Sequence, residues 1–535
     1  MSVKIWGLLI IGIFHLNSYS QVTLTESNLP ILKITTPLGQ QINDVNRIVC
    51  DLGIIDNGPG NLNQIIDPFT NYNGKISIEI RGSTSQQYPK KSYGFETQTA
   101  LGLNNNVNLL GLPIENDWIL NGPYPDKTLL RDAMTFDLSR KMGHYASNFR
   151  YCELLINNNY LGVYILFERI KRDNNRVDIA NLDLDDLAGD SLTGGYIIKV
   201  DKLTGESGTT WNSNFSNEVV FQFHEPESDE LNPIQKNYMQ TYISDFENDV
   251  QSNPEANYLN YIEPISFYDF FILQELGRTV DGYRSSSFLY KDKNSGNYQG
   301  RLVAGPMWDF NLSYGNADYC DAPSTTGWQY NFDQICNFST QIPFWWKRLL
   351  DSPSYRNGLR CRWNELREGP LSTDSIHFWI DSMTNLLEDG RIRNFQQWPI
   401  IGQYINWNAF VGNTYEEDVD FFKTYIETRA LWLDANIPGL CNLENADFKA
   451  QSAKVWPNPM SEKGNIGFSL LQACQVQLSI LDLTGRVVLK EEYGWLDEGY
   501  HVSGIHTNNL MSGNYLYLLS STSGVLYKGK ISIQK

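Results

Sequence analysis

The spacing of apolar residues changes part-way along the chain, and this change constrains the fold more than any other feature. Ile76 and Ile78 alternate with polar residues, which is the period of a half-buried strand that ends at Arg81. Later segments carry apolar residues at helical spacing instead. These segments span residues 126–142, where Asp126 is suited to cap the first turn, 264–279 and about 343–440. A strand-rich first half joined to a helical second half predicts an α+β, two-lobed domain.

The composition changes again after Asn442. Residues 443–452 form a polar link, Pro457-Asn458-Pro459 marks a turn, and the chain from there to Lys535 consists of short strand patterns separated by turns. This pattern predicts a small β-sandwich. It contains no catalytic constellation, so we expect it to serve in handling or attachment of the protein.

The first 20 residues have the pattern of a secretory signal, with one lysine, an apolar run from Ile5 to Phe14 and cleavage after Ser20. No later stretch approaches the ~20 apolar residues of a membrane helix. The mature protein is therefore expected to be exported and soluble. Loss of Lys4 changes the formal charge from −19 to −20, which argues against nucleic acid or anionic lipid as partners.

The cysteines and aromatic residues narrow the function less. Seven cysteines in an exported chain permit disulfides and leave at least one thiol unpaired, and we expect Cys320 and Cys336 to pair around the loop at Trp328. The other cysteines are scattered, and no spacing indicates zinc. The 14 Trp and 30 Tyr are either core residues or a carbohydrate-binding face.

Two aspartates are the best indication of chemistry. Asp281 and Asp309 lie at the two ends of a predicted hairpin, with strands at 287–291 and 301–303. Folding of the hairpin brings them together, and two carboxylates in a cleft suit a hard cation that takes further ligands from phosphate. The alternatives are that Asp281 forms a turn and Asp309 caps the next segment, or that both face a sugar groove at roughly 5–10 Å separation. No histidine is placed for a hydrolase triad.

A set of motifs along the chain resembles the CotH kinase family. The motifs are Arg81-Gly82-Ser83-Thr84-Ser85, Pro89-Lys90-Lys91-Ser92-Tyr93, Asn116-Asp117-Trp118, Asp126 with Leu130-Arg131, Gly162-Val163-Tyr164-Ile165-Leu166-Phe167-Glu168, Gly194-Gly195-Tyr196-Ile197-Ile198-Lys199 and Trp308-Asp309-Phe310. The resemblance spans about residues 30–435. The tail from about residue 453 resembles the C-terminal (type A) sorting domain of the type IX secretion system of Bacteroidetes.

The resemblance implies an atypical protein-kinase-like fold, over residues 21–442, that transfers the γ-phosphoryl group of ATP to protein Ser/Thr hydroxyls with Mg²⁺ or Mn²⁺. It implies that Asp281 is the catalytic aspartate and that Asp309 is a metal ligand. Many family members carry a metal-binding Asn five residues past the catalytic aspartate, whereas this chain has Ser286. A hydroxyl is the weaker magnesium ligand, so this departure leaves open whether catalysis is retained, and Asn311 is a possible substitute.

The remaining site residues are also implied by the resemblance. Lys91, or its neighbour Lys90, is expected to contact the α- and β-phosphates, and Glu168 to pair with that lysine. Arg81 is a second candidate phosphate contact, and Lys199 is expected either to face the nucleotide or to reach Asp201 or solvent. Each of these charged residues has a plainer alternative, which is a structural salt bridge or a solvated surface.

Two other functions stay open beside the exported kinase. The first is a non-catalytic surface protein that uses the same fold for binding or structure, and the second is a carbohydrate-binding protein. Residues 453–535 are expected to engage the type IX secretion machinery after the chain reaches the periplasm, which places the mature protein at the cell surface or in the medium.

Overall fold

The computed structural model describes residues 22–203, 208–255, 257–296, 298–441, 453–456, 458–470, 474–482, 486–496, 499–508, 510–521 and 524–535. The predicted signal peptide (1–20) and polar link (443–452) lie outside these ranges. The chain divides between Leu440 and Cys441 into two compact units. Each unit is described separately below.

A closed β-barrel forms the first part of unit one. Its strand order is β2-β3-β5-β6-β7-β9-β8, and a parallel pairing of β2 with β8 closes it. Ile76 and Ile78 of β5 are fully buried inside the barrel, as their alternation predicts, and β5 ends at Arg81. The strands are β1 (Glu26–Ser27), β2 (Ile31–Thr35), β3 (Ile48–Ile55), β4 (Asn63–Gln64), β5 (Tyr72–Arg81), β6 (Ser92–Gln98), β7 (Asp117–Asn121), β8 (Phe149–Ile156) and β9 (Asn159–Glu168).

A five-stranded antiparallel sheet follows, in the order β11-β12-β10-β13-β14. Its last two strands are the predicted hairpin, in which Leu289 lies opposite Ala304 and Lys291 opposite Leu302. The hairpin therefore forms close to the predicted positions. The strands are β10 (Tyr196–Val200), β11 (Thr210–Ser213), β12 (Ser216–Glu225), β13 (Ser287–Lys291) and β14 (Leu302–Ala304).

Helices dominate the rest of unit one, as the spacing predicts. None of those described is long and apolar enough to cross a membrane. They are α1 (Arg131–Lys141), α2 (Gly189–Leu192), α3 (Pro233–Ser252), α4 (Pro264–Gly277), α5 (Phe332–Ile335), α6 (Trp345–Arg348), α7 (Pro353–Arg367), α8 (Thr373–Leu386), α9 (Glu388–Gln397) and α10 (Tyr415–Asn436).

Helix α1 begins five residues later than its apolar spacing predicts. Leu129 has a φ of +64°, which a right-handed helix does not allow. Asp126 is buried in the preceding turn, where its carboxylate accepts a hydrogen bond from the Arg131 backbone N–H at 2.9 Å. Asp126 thus stabilises the turn that precedes the helix, and it does not occupy the capping position directly before the first turn.

Large aromatic side chains fill the core of unit one. Trp118 lies inside the barrel, and Trp345 and Trp363 are buried among the helices, each about 1% exposed. Phe246 and Phe221 pack on the Trp345 ring at centroid distances of 5.5 and 5.9 Å. These residues support the core interpretation of the aromatic content over a carbohydrate-binding face.

Unit two is β-rich. It has two antiparallel sheets, β15-β16-β19 and β18-β17-β20-β21, and residues of both sheets contribute to one hydrophobic cluster. Ile466 and Phe468 come from the first sheet, and Leu478 and Leu519 from the second. The strands are β15 (Lys454–Trp456), β16 (Lys463–Leu470), β17 (Cys474–Leu481), β18 (Val487–Leu496), β19 (Gly499–His506), β20 (Gly513–Ser521) and β21 (Gly524–Ile533).

Candidate active site

A cavity of about 810 Å³ in unit one is lined by most of the predicted site residues. The loop after β5, the end of β10, the turn after α4 and the segment after β14 all contribute to its lining. Of the predicted residues, the cavity is lined by Arg81, Lys199, Asp281, Ser286 and Asp309.

Asp309 lies in the segment after β14, with a φ of +66°. Its carboxylate accepts hydrogen bonds from the Ser286 hydroxyl at 3.3 Å and from the Asn311 side-chain amide at 3.2 Å. Desolvation, followed by the charges of Asp281 and Asp201, raises the pKa of Asp309 to about 6. Three carboxylates thus repel one another here, and a bound cation would relieve that repulsion.

Asp281 follows α4 and is the more open of the two predicted aspartates. Its side chain is 35% exposed, and one carboxylate oxygen accepts a hydrogen bond from Arg284 at 2.8 Å. The hairpin therefore brings Asp281 and Asp309 to one cavity, as the sequence pattern predicts. They differ in environment, because Asp281 accepts a hydrogen bond from the cationic Arg284, whereas Asp309 accepts hydrogen bonds from the neutral Ser286 and Asn311 side chains.

Ser286 connects this pair to a residue that the sequence argument considered only as a partner of Lys199. With a φ of +49°, Ser286 donates its backbone N–H to the Asp201 carboxylate at 3.2 Å and its hydroxyl to Asp309. Asp201 directly follows β10 and lines the cavity. Its position at the end of a buried strand was the available signal, since polar residues at strand ends often line sites.

Asp132, on the first turn of α1, is a second cavity residue that the sequence argument missed. Its carboxylate accepts hydrogen bonds from the Phe310 backbone N–H at 2.6 Å and from the Asn121 side chain at 3.3 Å. Desolvation and the nearby Asp309 raise the pKa of Asp132 to about 8. No motif marks it, because its role depends on a contact 178 residues away in sequence.

Cations also line the cavity, from the barrel strand β5 and from β10 of the five-stranded sheet. The Arg81 guanidinium stacks 5.5 Å from the Trp308 ring centroid, and burial lowers the pKa of Arg81 to about 10, so it stays charged at neutral pH. Lys199 lies 3.7 Å from Asp201 in an ion pair. Lys202, which the sequence argument did not single out, donates a hydrogen bond to the Thr84 hydroxyl at 3.3 Å. The lining also includes Ser83, Thr84 and Ser85 of the loop after β5.

The predicted lysine–glutamate pair is not formed among the described residues. Lys91 donates to the Gln86 carbonyl at 2.5 Å, and Lys90 is buried with its ammonium on the Val163 carbonyl and the Asn394 side chain. Glu168 is fully buried, and its carboxylate accepts hydrogen bonds from Asn148 and Tyr145. None of the three predicted residues is part of the cavity lining. Glu168 therefore holds a neighbouring loop, and Lys90 anchors the barrel to α9.

The donor set fits a hard divalent cation that shares its shell with phosphate. Within the described part of the chain, no group of three or more His, Cys, Asp and Glu residues is arranged to hold a metal ion by itself. Mg²⁺ usually binds through one or two carboxylates, with substrate phosphates and waters completing the octahedron. Asp309, with Ser286 and Asn311 beside it, supplies oxygen atoms of this kind.

A disulfide closes the rim of the cavity. Cys320 and Cys336 are bonded, as predicted, with their Cα atoms 5.3 Å apart, and both residues line the cavity. Cys361 is disulfide-bonded as well, which the sequence spacing did not indicate. Cys50 and Cys152 are free and buried. Disulfides are typical of proteins that mature outside the cytosol.

Comparison with known families decides the relationship. The family model "CotH kinase protein" matches residues 78–433, which is more than half of the chain. The chain belongs to the CotH kinase family. A second model, "Secretion system C-terminal sorting domain", matches residues 454–534. This CotH protein carries the type IX sorting domain and is therefore a secreted or cell-surface protein.

No curated protein matches this CotH protein. Among solved structures, the Pseudomonas fluorescens alkylpurine DNA glycosylase AlkC bound to DNA containing an abasic site analog matches at 14% identity and a TM-score of 0.14. The alignment covers 36% of this chain and 52% of that chain, so this CotH protein spans about half of the solved chain's length. The predicted kinase-like two-lobed fold is not confirmed by a structural neighbour. The mixed α and β content is shown by the helices and sheets of this chain itself.

Proposed function

We propose that this CotH protein is an exported kinase that transfers the γ-phosphoryl group of ATP to Ser or Thr hydroxyls of a protein. The single observation that carries the proposal is the cavity itself. The carboxylates of Asp281, Asp309 and Asp201 line it together with the cations Arg81 and Lys199. Phosphoryl transfer depends on positioning and on neutralising phosphate charge, and both kinds of group serve that purpose.

Asp281 suits the acceptor side of the reaction. The acceptor oxygen forms a bond to the γ-phosphorus, the bond from that phosphorus to the β-phosphate oxygen breaks, and the hydroxyl proton passes to the Asp281 carboxylate. Asp281 is open enough to meet an acceptor, and Arg284 holds one of its oxygens. A positioned base of this kind contributes about 10²- to 10⁴-fold to a rate.

Asp309 suits the nucleotide side. It would hold a Mg²⁺ or Mn²⁺ ion, which when bound supplies charge neutralisation at the β- and γ-phosphates. Ser286 and Asn311 fix the orientation of its carboxylate by hydrogen bonds to opposite oxygens. Arg81 and Lys199 would bind phosphate oxygens, and the aromatic side chains of Phe136, Phe167 and Trp308 line the same cavity and limit the access of water.

Ser286 supports one competing function, which is a surface protein that binds through this fold without catalysis. The hydroxyl of Ser286 is occupied with Asp309, so it does not reproduce an amide ligand at that position. The two functions predict different results in one assay. Binding of nucleotide without any transfer supports the second function and excludes the first.

The assay uses the mature protein with γ-labelled ATP, Mg²⁺ or Mn²⁺, and dephosphorylated casein as acceptor. We expect label on casein Ser or Thr residues, dependence on the divalent ion, and loss of the label after phosphatase treatment. The Asp309→Asn protein, prepared in parallel, is the control for a contaminating kinase. Equal labelling by that control or failure of the parent protein to bind ATP would contradict the proposal.

A further inference from the structure

Arg284 is a buried arginine at the edge of the cavity, three residues past Asp281. Its side chain is 4% exposed, and its guanidinium lies against two aromatic rings, Phe332 and Phe338. The guanidinium carbon lies 4.3 Å from the Phe332 ring centroid and 4.6 Å from that of Phe338. These ring contacts and the low exposure restrict the motion of the guanidinium, so its N–H groups point in defined directions.

Each nitrogen of this guanidinium has a different partner. Nε donates to the Val280 carbonyl at 2.9 Å, Nη2 to the Asp281 carboxylate at 2.8 Å and Nη1 to the Thr340 hydroxyl at 2.7 Å. Two of these partners belong to the turn that carries Asp281, and the third belongs to the segment just beyond the Cys320–Cys336 disulfide. Arg284 is therefore a bridge between Asp281 and the rim of the cavity.

The backbone of the Asp281 turn has further anchors besides its Val280 contact with Arg284. Ser285 donates its backbone N–H to the Asp281 carbonyl at 2.9 Å, and the buried Tyr283 hydroxyl bonds to Glu275 of α4 at 3.1 Å. Glu275 is itself fixed by Arg429, at 3.1 Å. Loss of the Arg284 contacts would thus release the Asp281 side chain and the rim while the turn keeps its anchor in the core.

We propose that Arg284 is a positioning residue that orients the Asp281 carboxylate and ties it to the disulfide-closed rim, residues 320–340. This inference rests on the proposed function, because it assigns to Arg284 the control of the acceptor step. The rim then sets the direction of the carboxylate toward an incoming hydroxyl. Nucleotide contacts lie elsewhere in the cavity, at Asp309, Arg81 and Lys199, so they do not pass through Arg284.

The test compares two conservative substitutions. Arg284→Lys keeps the charge but replaces a planar fork by one ammonium, which cannot reach all three partners in the same directions. Arg278→Lys is the matched control, since Arg278 is also buried and bonds to the same rim, at Asp321 and the Ser324 carbonyl, without touching Asp281. Both are made in the mature protein, and casein labelling and affinity for ATP with Mg²⁺ are measured.

We expect Arg284→Lys to lower kcat by about tenfold to a hundredfold, because a small misplacement of a reacting group has effects of that order. The Kd for ATP should stay within about twofold of the parent value, since the lost interaction belongs to the transfer step. Arg278→Lys should retain the parental kcat within about twofold. A merely structural role of Arg284 would instead lower both quantities, or affect the two arginine variants equally.

A second variant keeps the inference falsifiable if Arg284→Lys does not fold. Thr340→Val removes only the partner on the rim, and we expect a drop in kcat of about threefold with unchanged ATP affinity, as for loss of one hydrogen bond. Parental kcat in Thr340→Val or in folded Arg284→Lys overturns the inference and leaves the proposed function intact. A parent protein that binds no ATP or transfers no phosphate overturns the proposed function, and this inference with it.

Discussion

Two sets of residues that line the cavity are positioned in different ways. The cationic set, Arg81 and Lys199, projects from regular strands, at the end of β5 in the barrel and within β10 of the five-stranded sheet. The hairpin set comprises Asp281, Asp309 and Ser286, and the last two have left-handed backbone angles, with φ of +66° and +49°. Non-glycine residues with such backbone angles cost free energy and are held by their surroundings. The cationic set is thus positioned by secondary structure, and Asp309 and Ser286 by tertiary contacts.

Replacement of Asp309 should have the largest effect on ATP binding and transfer, because it removes a charge from the hairpin set, which depends on tertiary contacts. Asp309→Asn keeps the size of the side chain, and asparagine tolerates a positive φ. We expect ATP to bind at least a hundredfold more weakly in the presence of Mg²⁺, and transfer to be lost. Substitution of metal ligands and of the residues that hydrogen-bond to them has effects of about this size. Calorimetry measures the affinity. Asp420→Asn, an exposed aspartate on α10, is the control for the change in net charge.

Asp281→Asn should separate nucleotide binding from phosphoryl transfer within the hairpin set. The proposed role of Asp281 concerns the acceptor hydroxyl, so ATP affinity should be retained while kcat falls by about 10²- to 10³-fold. Single-turnover labelling of casein, together with calorimetry, checks both statements. Transfer at the parental rate would remove Asp281 from the catalytic step.

The cationic set should show a smaller effect, which is divided between Arg81 and Lys199. We expect Arg81→Met and Lys199→Met each to weaken ATP binding by about tenfold, as for loss of a charge-assisted hydrogen bond. Lys91→Met should leave the affinity unchanged, because the Lys91 ammonium bonds to the Gln86 carbonyl and does not line the cavity. A Lys91 variant that binds ATP more weakly than the Lys199 variant would restore the role that the family resemblance implies for Lys91.

Asp132→Asn should change stability rather than ligand binding. The pKa of Asp132 is raised to about 8 by burial and by Asp309, from an ordinary value of 3.8. A raised carboxyl pKa stabilises the fold at pH below about 4, and that contribution is lost as the pH rises through 8. The variant should therefore gain about 1–3 kcal/mol in unfolding free energy over the parent at pH 8.5.

Denaturant unfolding at pH 6 and at pH 8.5, with EDTA present, checks this prediction. Asn keeps an oxygen for the Phe310 backbone N–H, so the hydrogen bond that fixes the segment at Asp309 is retained. The difference between variant and parent should be larger at pH 8.5. A difference that is equal at the two pH values would show that ionisation of Asp132 does not contribute.

Local patterns predicted the parts of the molecule that depend on near neighbours in sequence. The alternation at Ile76 and Ile78 located β5, and turn residues located the hairpin that brings Asp281 and Asp309 together. Closure of the barrel depends on the parallel pairing of β2 with β8, about 120 residues apart, which no local pattern encodes.

The site could also be predicted only in part from local patterns. Asp132 belongs to it through a hydrogen bond with Phe310, and Asp201 through one with Ser286. These contacts are defined only in the folded chain. The predicted Lys91–Glu168 pair does not form, because each side chain bonds to another partner. Lys91 donates to the Gln86 carbonyl, and Glu168 accepts from Asn148. Glu168 is buried, so its carboxylate needs such hydrogen bonds.

Removal of the C-terminal unit should have the smallest effect on the cavity. The chain divides between Leu440 and Cys441, and unit two has its own hydrophobic cluster, so residues 453–535 should be dispensable for ATP binding and phosphoryl transfer. The same deletion should prevent export, because the sorting domain occupies residues 454–534. Fractionation of cells that produce the truncated protein should find it in the periplasm, active in the casein assay. Truncated protein at the surface or in the medium would contradict the export role. Truncated protein that is folded but no longer binds ATP would show that the cavity depends on residues 453–535.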